Sequence, residues 1–337
     1  MNIYHYGERF ELECGKVLPG VDIAFHTYGT LSPDKDNVVW VCHALTANSD
    51  VAQWWPHTVE RGRFLDPERY FIVCANMIGS QYGSTGPLSV NPSTGTQYYG
   101  TFPQITVRDI VKGHRLLAER LGIKRVKMLI GASIGGFQAV EWLITDPSFA
   151  QKAVLIATCA AASPWVVALN ESQRMAIRCD STFGQKSDTA GAEGLKCARS
   201  IALLSYRGAT AYNTTQAEID EPNKTDNFRA ASYQRYQGDK LAARFNAYSY
   251  MRLSEAVDSH NVGRMRGGVE KALASIKASV AVVAISSDIL FPLADLETLH
   301  RHIPDASMHV IDSEFGHDGF LIEHEKLDRI ISKHASL

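Results

Sequence analysis

Residues 127–142, KMLIGASIGGFQAVEW, constrain the fold more tightly than any other stretch. An apolar run of strand character meets a serine bracketed by glycines, and a helical pattern begins with no loop between them. A turn that sharp leaves room only for tiny neighbours, which Gly131, Ala132, Gly135 and Gly136 supply. A strand that feeds straight into a helix sends the chain back across the sheet, so the next strand lies parallel to the first. The runs NVVWVCH (37–43), YFIVCAN (70–76), KAVLIA (152–157) and VAVVAIS (280–286) are apolar without polar alternation, as expected of strands covered on both faces. DIAFHTYG (22–29) and SMHVID (307–312) complete the predicted strands. Helical patterns fall between them: Ile110, Val111, Leu117 and Leu121 recur at helical spacing before Gly122, and residues 323–334 read as a last amphipathic helix. The predicted class is α/β, with a mostly parallel, doubly wound sheet.

The interval 159–277 breaks this rhythm, being polar, alanine-rich and helical in pattern, as in GDKLAARFNAYSYMRLSEA. It is read as a helical lid inserted between two sheet strands, leaving 1–158 and 278–337 as the α/β core. A 337-residue chain that is 45% hydrophobic can fill such a core. Lys and Arg number 34 against 36 Asp and Glu, with no basic stripe, which argues against nucleic acid or a membrane surface and for a small-molecule partner. No run reaches the roughly 18 apolar residues of a membrane span, and the first residues, MNIYHYGERFELECG, lack the basic start and apolar run of a signal peptide. A cytoplasmic location is the expectation. The six cysteines form no CxxC pair, so neither a disulfide framework nor a metal site is expected.

GASIGG satisfies the G-x-S-x-G pattern of a nucleophile elbow, and its strand-then-helix context is present. A nucleophilic serine needs a base, and the base an orienting acid; on this architecture they follow in the order Ser, Asp or Glu, His, each after a late strand. Asp288 lies just beyond one such run and His317 just beyond the next. An Asp in that place also serves as a turn or helix cap, and His317 is one of twelve histidines, but few others combine a loop after a late strand with a flanking glycine. For an oxyanion hole, one backbone N–H would come from Ile134 and another from the loop at 43–46, which His43 would shape.

Several blocks together resemble the homoserine O-acetyltransferase family of α/β-hydrolase-fold acyltransferases: CHALTANSD, GSQYGSTGPLSVNPSTG, FPQITVRDIV, GASIGGFQAVEW, SYQRYQGDKLAARFNAYSY, SSDILFP and FGHDGFLIE, in family order from 42 to 323. The resemblance implies transfer of an acetyl group from acetyl-CoA to the hydroxyl of L-homoserine, a step toward methionine, with acetyl-CoA as substrate and no resident cofactor. It implies Ser133 as nucleophile, His317 as general base and acid, Asp288 as the residue fixing the imidazole, and the N–H groups of Leu45 and Ile134 as oxyanion donors. Asp318 matches the acid that meets the homoserine ammonium, and Arg229 and Tyr236 are the candidates beside its carboxylate. A homodimer joined through the inserted helices is implied, with Met175, Ile177 and the aromatics near Tyr248 as contacts there or as lid core. Ala132, Ile134 and Phe137 depart from the commonest elbow, GGSMGG followed by methionine; Ala132 stays small and Ile134 acts through its backbone, so the departures bear on pocket shape. Succinyl-CoA as donor, serine as acceptor, or an esterase or thioesterase reaction use the same machinery. No basic residue stands out for a succinyl carboxylate.

Overall fold

The computed structural model describes residues 1–219 and 223–336. The sheet strands are β1 (Asn2–Tyr6), β2 (Val21–Tyr28), β3 (Val38–Cys42), β4 (Phe71–Ala75), β5 (Val126–Ala132), β6 (Ala150–Ile156), β7 (Ser279–Ile285) and β8 (Ala306–Ile311). They form one 8-stranded sheet in the order β1-β2-β4-β3-β5-β6-β7-β8. β2 runs antiparallel to both β1 and β4, and the remaining pairs are parallel. The longer helices are α1 (Val107–Arg120), α2 (Ile134–Thr145), α3 (Pro164–Arg178), α4 (Ala192–Tyr206), α5 (Ala209–Thr215), α6 (Arg229–Ala242), α7 (Ala247–Asp258), α8 (Leu293–His302) and α9 (His324–Ser336).

The apolar runs form strands because both faces of the sheet are covered. Trp40, Cys42, Val73, Ala75, Leu129 and Leu155 point into one buried cluster with residues of α1 and α2. Their neighbours Val39, Val41, Ile72, Cys74, Met128 and Val154 point into a second cluster with Phe320, Leu327 and Ile331. Alternate residues of one strand thus feed opposite cores, and no polar alternation survives. Local chemistry sets the helix starts. Thr106 and Asp109 form a reciprocal capping box at α1, Ser163 caps α3 with Pro164 in its first turn, and Asn246 caps α7.

All six predicted strands outside 127–142 are present. β1 is an addition: NIYHY alternates at the sheet edge, where an apolar run is not required. Between β6 and β7 the chain runs through α3 to α7, with α3 packed on α4 and α4 on α6. No helix among the described residues is long and apolar enough to cross a membrane. Of the apolar residues considered as contacts between copies, Ile177 and Tyr248 are buried within this segment, whereas Met175 is 57% exposed.

Parallel strands present their C-terminal ends on one edge, which is where ligands bind on open α/β sheets. The loops after β3, β5, β7 and β8 carry Leu45, Ser133, Asp288 and His317 along that edge. One very tight joint is at the start of α2. A Cβ on Gly135 would stand 2.1 Å from Cys42 O, and one on Gly131 would stand 2.1 Å from Gly135 O. Both obstacles are backbone, so the helix could admit a methyl only by moving off the strand ends. Gly135→Ala is therefore expected to cost about 3 kcal/mol of stability by urea denaturation, in the upper range for overpacking, against about zero for an exposed helical Gly→Ala control.

Candidate active site

Ser133 occupies the turn between β5 and α2 with φ 58° and ψ −129°, a conformation that side-chain-bearing residues avoid. Its N–H reaches Ile156 O at 3.0 Å, as β5 would continue its pairing with β6, while its carbonyl accepts from Thr158 Oγ1 at 2.9 Å. The surrounding structure thus over-determines the strained residue and lifts its side chain out of the sheet. The next N–H, of Ile134, opens α2 and has no intrahelical acceptor. Among the described residues neither it nor the Leu45 N–H makes a hydrogen bond, and both residues line the cavity that contains Ser133.

Asp288 and His317 meet on the adjoining loops. His317 Nδ1 lies 2.7 Å from Asp288 Oδ2, with both side chains buried. The other oxygen of Asp288, Oδ1, accepts from the N–H groups of Leu290 and Phe291 at 2.8 and 3.0 Å. Asp288 therefore does cap a turn, and that turn aims its second oxygen at the imidazole. Two serines tie the loops together: Ser287 Oγ donates to Ser313 O at 2.6 Å and accepts from Gly316 N–H at 2.9 Å, and Ser286 Oγ accepts from Ser313 N–H at 3.1 Å. Burial acts to lower the His317 pKa, but attraction to Asp288, their hydrogen bond and the Asp318 carboxylate together carry it above the ordinary histidine value. No hydrogen bond joins His317 to Ser133 Oγ. The two are brought together by shared neighbours: Tyr206 and Phe291 line the Ser133 cavity, and their rings lie 5.8 and 5.3 Å from the imidazole.

The cavity is narrow, with about 20 Å³ free, the room of one water. Its walls come from the loop after β3, α2 and the β7 loop on one side, and from Val166, Asn170, Gln173, Tyr206 and Val257 of the inserted helices on the other. The insertion is locked to the base by a glycine pair. A Cβ on Gly208 would stand 1.9 Å from Glu314 O, and one on Gly316 2.5 Å from Gly208 N. That contact sets Arg207 Nε 3.0 Å from Asp318 Oδ2.

Residues 37–323 match the alpha/beta hydrolase fold family. A curated homoserine O-acetyltransferase of Cyclobacterium marinum is 45% identical over 329 residues, 98% of this chain and 93% of its own. The solved homoserine O-acetyltransferase of Staphylococcus aureus superposes with a TM-score of 0.83 at 26% identity, covering 100% of this chain and 95% of that one. Esterase E22, with a TM-score of 0.90, 22% identity and 99% of each chain covered, shares the fold. The chain belongs to the homoserine O-acetyltransferase family.

The structure of this α/β-hydrolase-fold acyltransferase moves part of the expected substrate site. Arg229, at the exposed start of α6, has its N–H on Glu218 Oε1, and Tyr236 is 56% exposed beside Lys240. Neither lines the cavity, because α6 packs behind α4 and the face bearing these two points outward. Two residues that sequence reasoning did not single out stand at the cavity instead, both on α4. Tyr206 lies in the cavity wall, and the Arg199 guanidinium sits 5.4 Å over its ring. Among the described residues that guanidinium makes no hydrogen bond or salt bridge. Burial raises the Asp318 pKa above the usual carboxylate value, while Arg207, Arg199 and His317 pull the other way. The available signal was spacing: Arg199 and Tyr206 fall two turns apart on one face of α4, and Tyr206 immediately precedes the turn that Gly208 locks to the base.

His317 must be neutral to take a proton, and its pKa is raised, so activity is lost as pH falls through a value above about 6.5. The acid limb of kcat/KM should therefore have its midpoint above pH 6.5. Asp288→Asn, which removes the stabilising charge, should shift that midpoint downward while lowering the rate by about 10⁴-fold. A midpoint unmoved by the substitution would show that another group controls the profile.

Proposed function

We propose that the enzyme transfers an acetyl group from acetyl-CoA to the hydroxyl of L-homoserine through an acetyl-Ser133 intermediate, as a step in methionine biosynthesis. The observation that carries this reading is the charge arrangement around His317. Asp318 and the unengaged Arg199 present opposite charges beside one base, which suits an amino-acid zwitterion whose side-chain hydroxyl must reach that base. On this reading Asp318 meets the ammonium, and Arg199 with Tyr206 meets the carboxylate. The names of close relatives support the same substrates.

In the first half-reaction His317 takes the Ser133 hydroxyl proton as Oγ attacks the thioester carbonyl. The developing oxyanion is met by the Leu45 and Ile134 N–H groups, whose charge stabilisation is preorganised by the backbone. Collapse breaks the C–S bond, and the departing thiolate takes the proton back from His317. In the second half-reaction the homoserine hydroxyl gives its proton to His317 and attacks the acetyl-serine carbonyl, and Ser133 regains a proton as it leaves. The scheme is ping-pong and calls on no resident cofactor. Water would compete with homoserine, and the segment 159–277 acts as the lid that keeps it out. The core is then 1–158 with 278–337, in a cytoplasmic homodimer joined through the inserted helices.

Acetyl is favoured over succinyl because the cavity around Ser133 is walled by apolar side chains and two amides, with no Lys or Arg among its lining residues. A succinyl carboxylate there would meet no cation on the cavity walls, and on this reading Arg199 is taken by the homoserine carboxylate. Mass spectrometry with acetyl-CoA and succinyl-CoA crossed against homoserine and serine should give O-acetylhomoserine as the dominant product; CoA release at full rate without any amino acid would instead mark a thioesterase. Ser133→Ala should lose at least about a thousandfold. Arg199→Ala should raise the homoserine KM by about tenfold or more while acylation by acetyl-CoA stays within about twofold, the loss expected for one charge-assisted hydrogen-bonding partner. Arg229→Ala should leave both unchanged, and the reverse pattern would return the carboxylate to α6.

A further inference from the structure

His43 is fully buried at the end of β3, and its ring does not line the cavity. The hydrogen bonds around it nevertheless end at the oxyanion hole. Met77 N–H donates to His43 Nε2 at 3.1 Å. A backbone N–H can only donate, so Nε2 is unprotonated and the ring proton sits on Nδ1. Nδ1 lies 2.9 Å from Ala44 O and donates to it. That carbonyl belongs to the same peptide unit as the Leu45 N–H, and in a trans peptide the two point in opposite directions. Fixing the oxygen therefore aims the N–H. A donor drawn onto the oxygen also polarises the peptide and makes its N–H more acidic. The preceding peptide is held as well: Gln138 Nε2 on α2 donates to His43 O and to Ile134 O, each at 3.2 Å. One amide thus bridges the two segments that carry the oxyanion donors.

We propose that His43 is a positioning residue for the oxyanion hole: in its Nδ1–H form it holds the Ala44–Leu45 peptide so that the Leu45 N–H meets the charge that develops on the acyl carbonyl. This rests on the reading of Leu45 as an oxyanion donor. The ring has no other outlet, since both nitrogens are engaged and no substrate can reach it. Burial, only partly countered by the hydrogen bond to Ala44, pushes its pKa down to about 4, so the neutral tautomer persists across the working pH range.

The test compares His43→Asn, His43→Gln and His43→Leu in single-turnover acetylation of Ser133 by p-nitrophenyl acetate, with thermal stability measured alongside. The asparagine amide can present an N–H near the Nδ1 position and keep the bond to Ala44 O. The glutamine amide reaches the Nε2 position, meeting Met77 N–H but not Ala44 O. His43→Asn is expected within about threefold of wild type, and His43→Gln slower by about tenfold or more in the acylation rate constant with KM within about twofold, the pattern of an interaction made in the transition state. His43→Leu, where it folds, should be at least as slow. A glutamine variant as fast as the asparagine variant would overturn the proposal whatever the stabilities, because a merely structural role would follow the melting temperature and not the placement of the donor. The ester needs neither CoA nor homoserine, so the order is read independently of the natural substrates. A wild-type Ser133 that accepts acetyl from neither ester nor thioester would overturn the catalytic reading and this inference with it.

Discussion

The close approach of α2 to the ends of β3 and β5 is the contact on which the site depends. Gly131 and Gly135 let two backbone segments pass at distances that a single Cβ would forbid. The approach places the unpaired N–H at the start of α2 beside the loop after β3, so the two N–H groups proposed as oxyanion donors belong to backbone whose position follows from the sheet. It also holds Ser133 in a conformation that an isolated chain would leave at once. Strain of this kind persists only when the surroundings cannot relax. Here the β5–β6 register, the Thr158 bond and the glycine contacts remove the available routes.

Electrostatics at the other end of the site show a similar division between what burial opposes and what neighbours supply. A buried imidazole is normally held neutral, as at His43, His114 and His260, where burial drives the pKa down. His317 is as deeply placed and goes the other way, because Asp288 sits against Nδ1 and Asp318 follows in the chain. On the proposed mechanism, the imidazolium formed when Ser133 gives up its proton is thus stabilised before any substrate binds. Asp288 is itself buried, and its other oxygen is satisfied by two backbone N–H groups.

How far this was legible in the sequence follows from the range of each interaction. The central strands were readable because two-sided burial writes an uninterrupted apolar run, and the elbow because its steric limits act on adjacent residues. The order Ser, Asp, His was readable because each follows a strand that announces itself. β1 was not, since an edge strand with one solvated face carries no such run. That Tyr206 and Arg199 lie at the cavity while Arg229 and Tyr236 do not was only half readable, for another reason. Both pairs lie on ordinary amphipathic helices, and only the contact of Gly208 with Glu314 and Gly316 decides which helix faces the base. That contact joins residues about a hundred positions apart through backbone atoms; spacing puts Arg199 and Tyr206 on one face of α4 but does not say what that face meets.

A fold shared at this level with an esterase cannot by itself select the acceptor. On the proposed reading the strand-end loops supply a nucleophile, a base and oxyanion donors that would serve water and alcohols alike. Discrimination then has to reside in what the insertion adds beside His317: Tyr206, the Arg199 guanidinium, and Arg207 against Asp318. Such groups can favour a zwitterion in two ways at once. They bind its charges, and in its absence they leave a narrow, largely apolar space above Ser133 in which a water finds few partners. The same side chains that recognise the acceptor would thus protect the acyl-enzyme while it waits, which ties transfer over hydrolysis to the geometry of α4 more than to the triad.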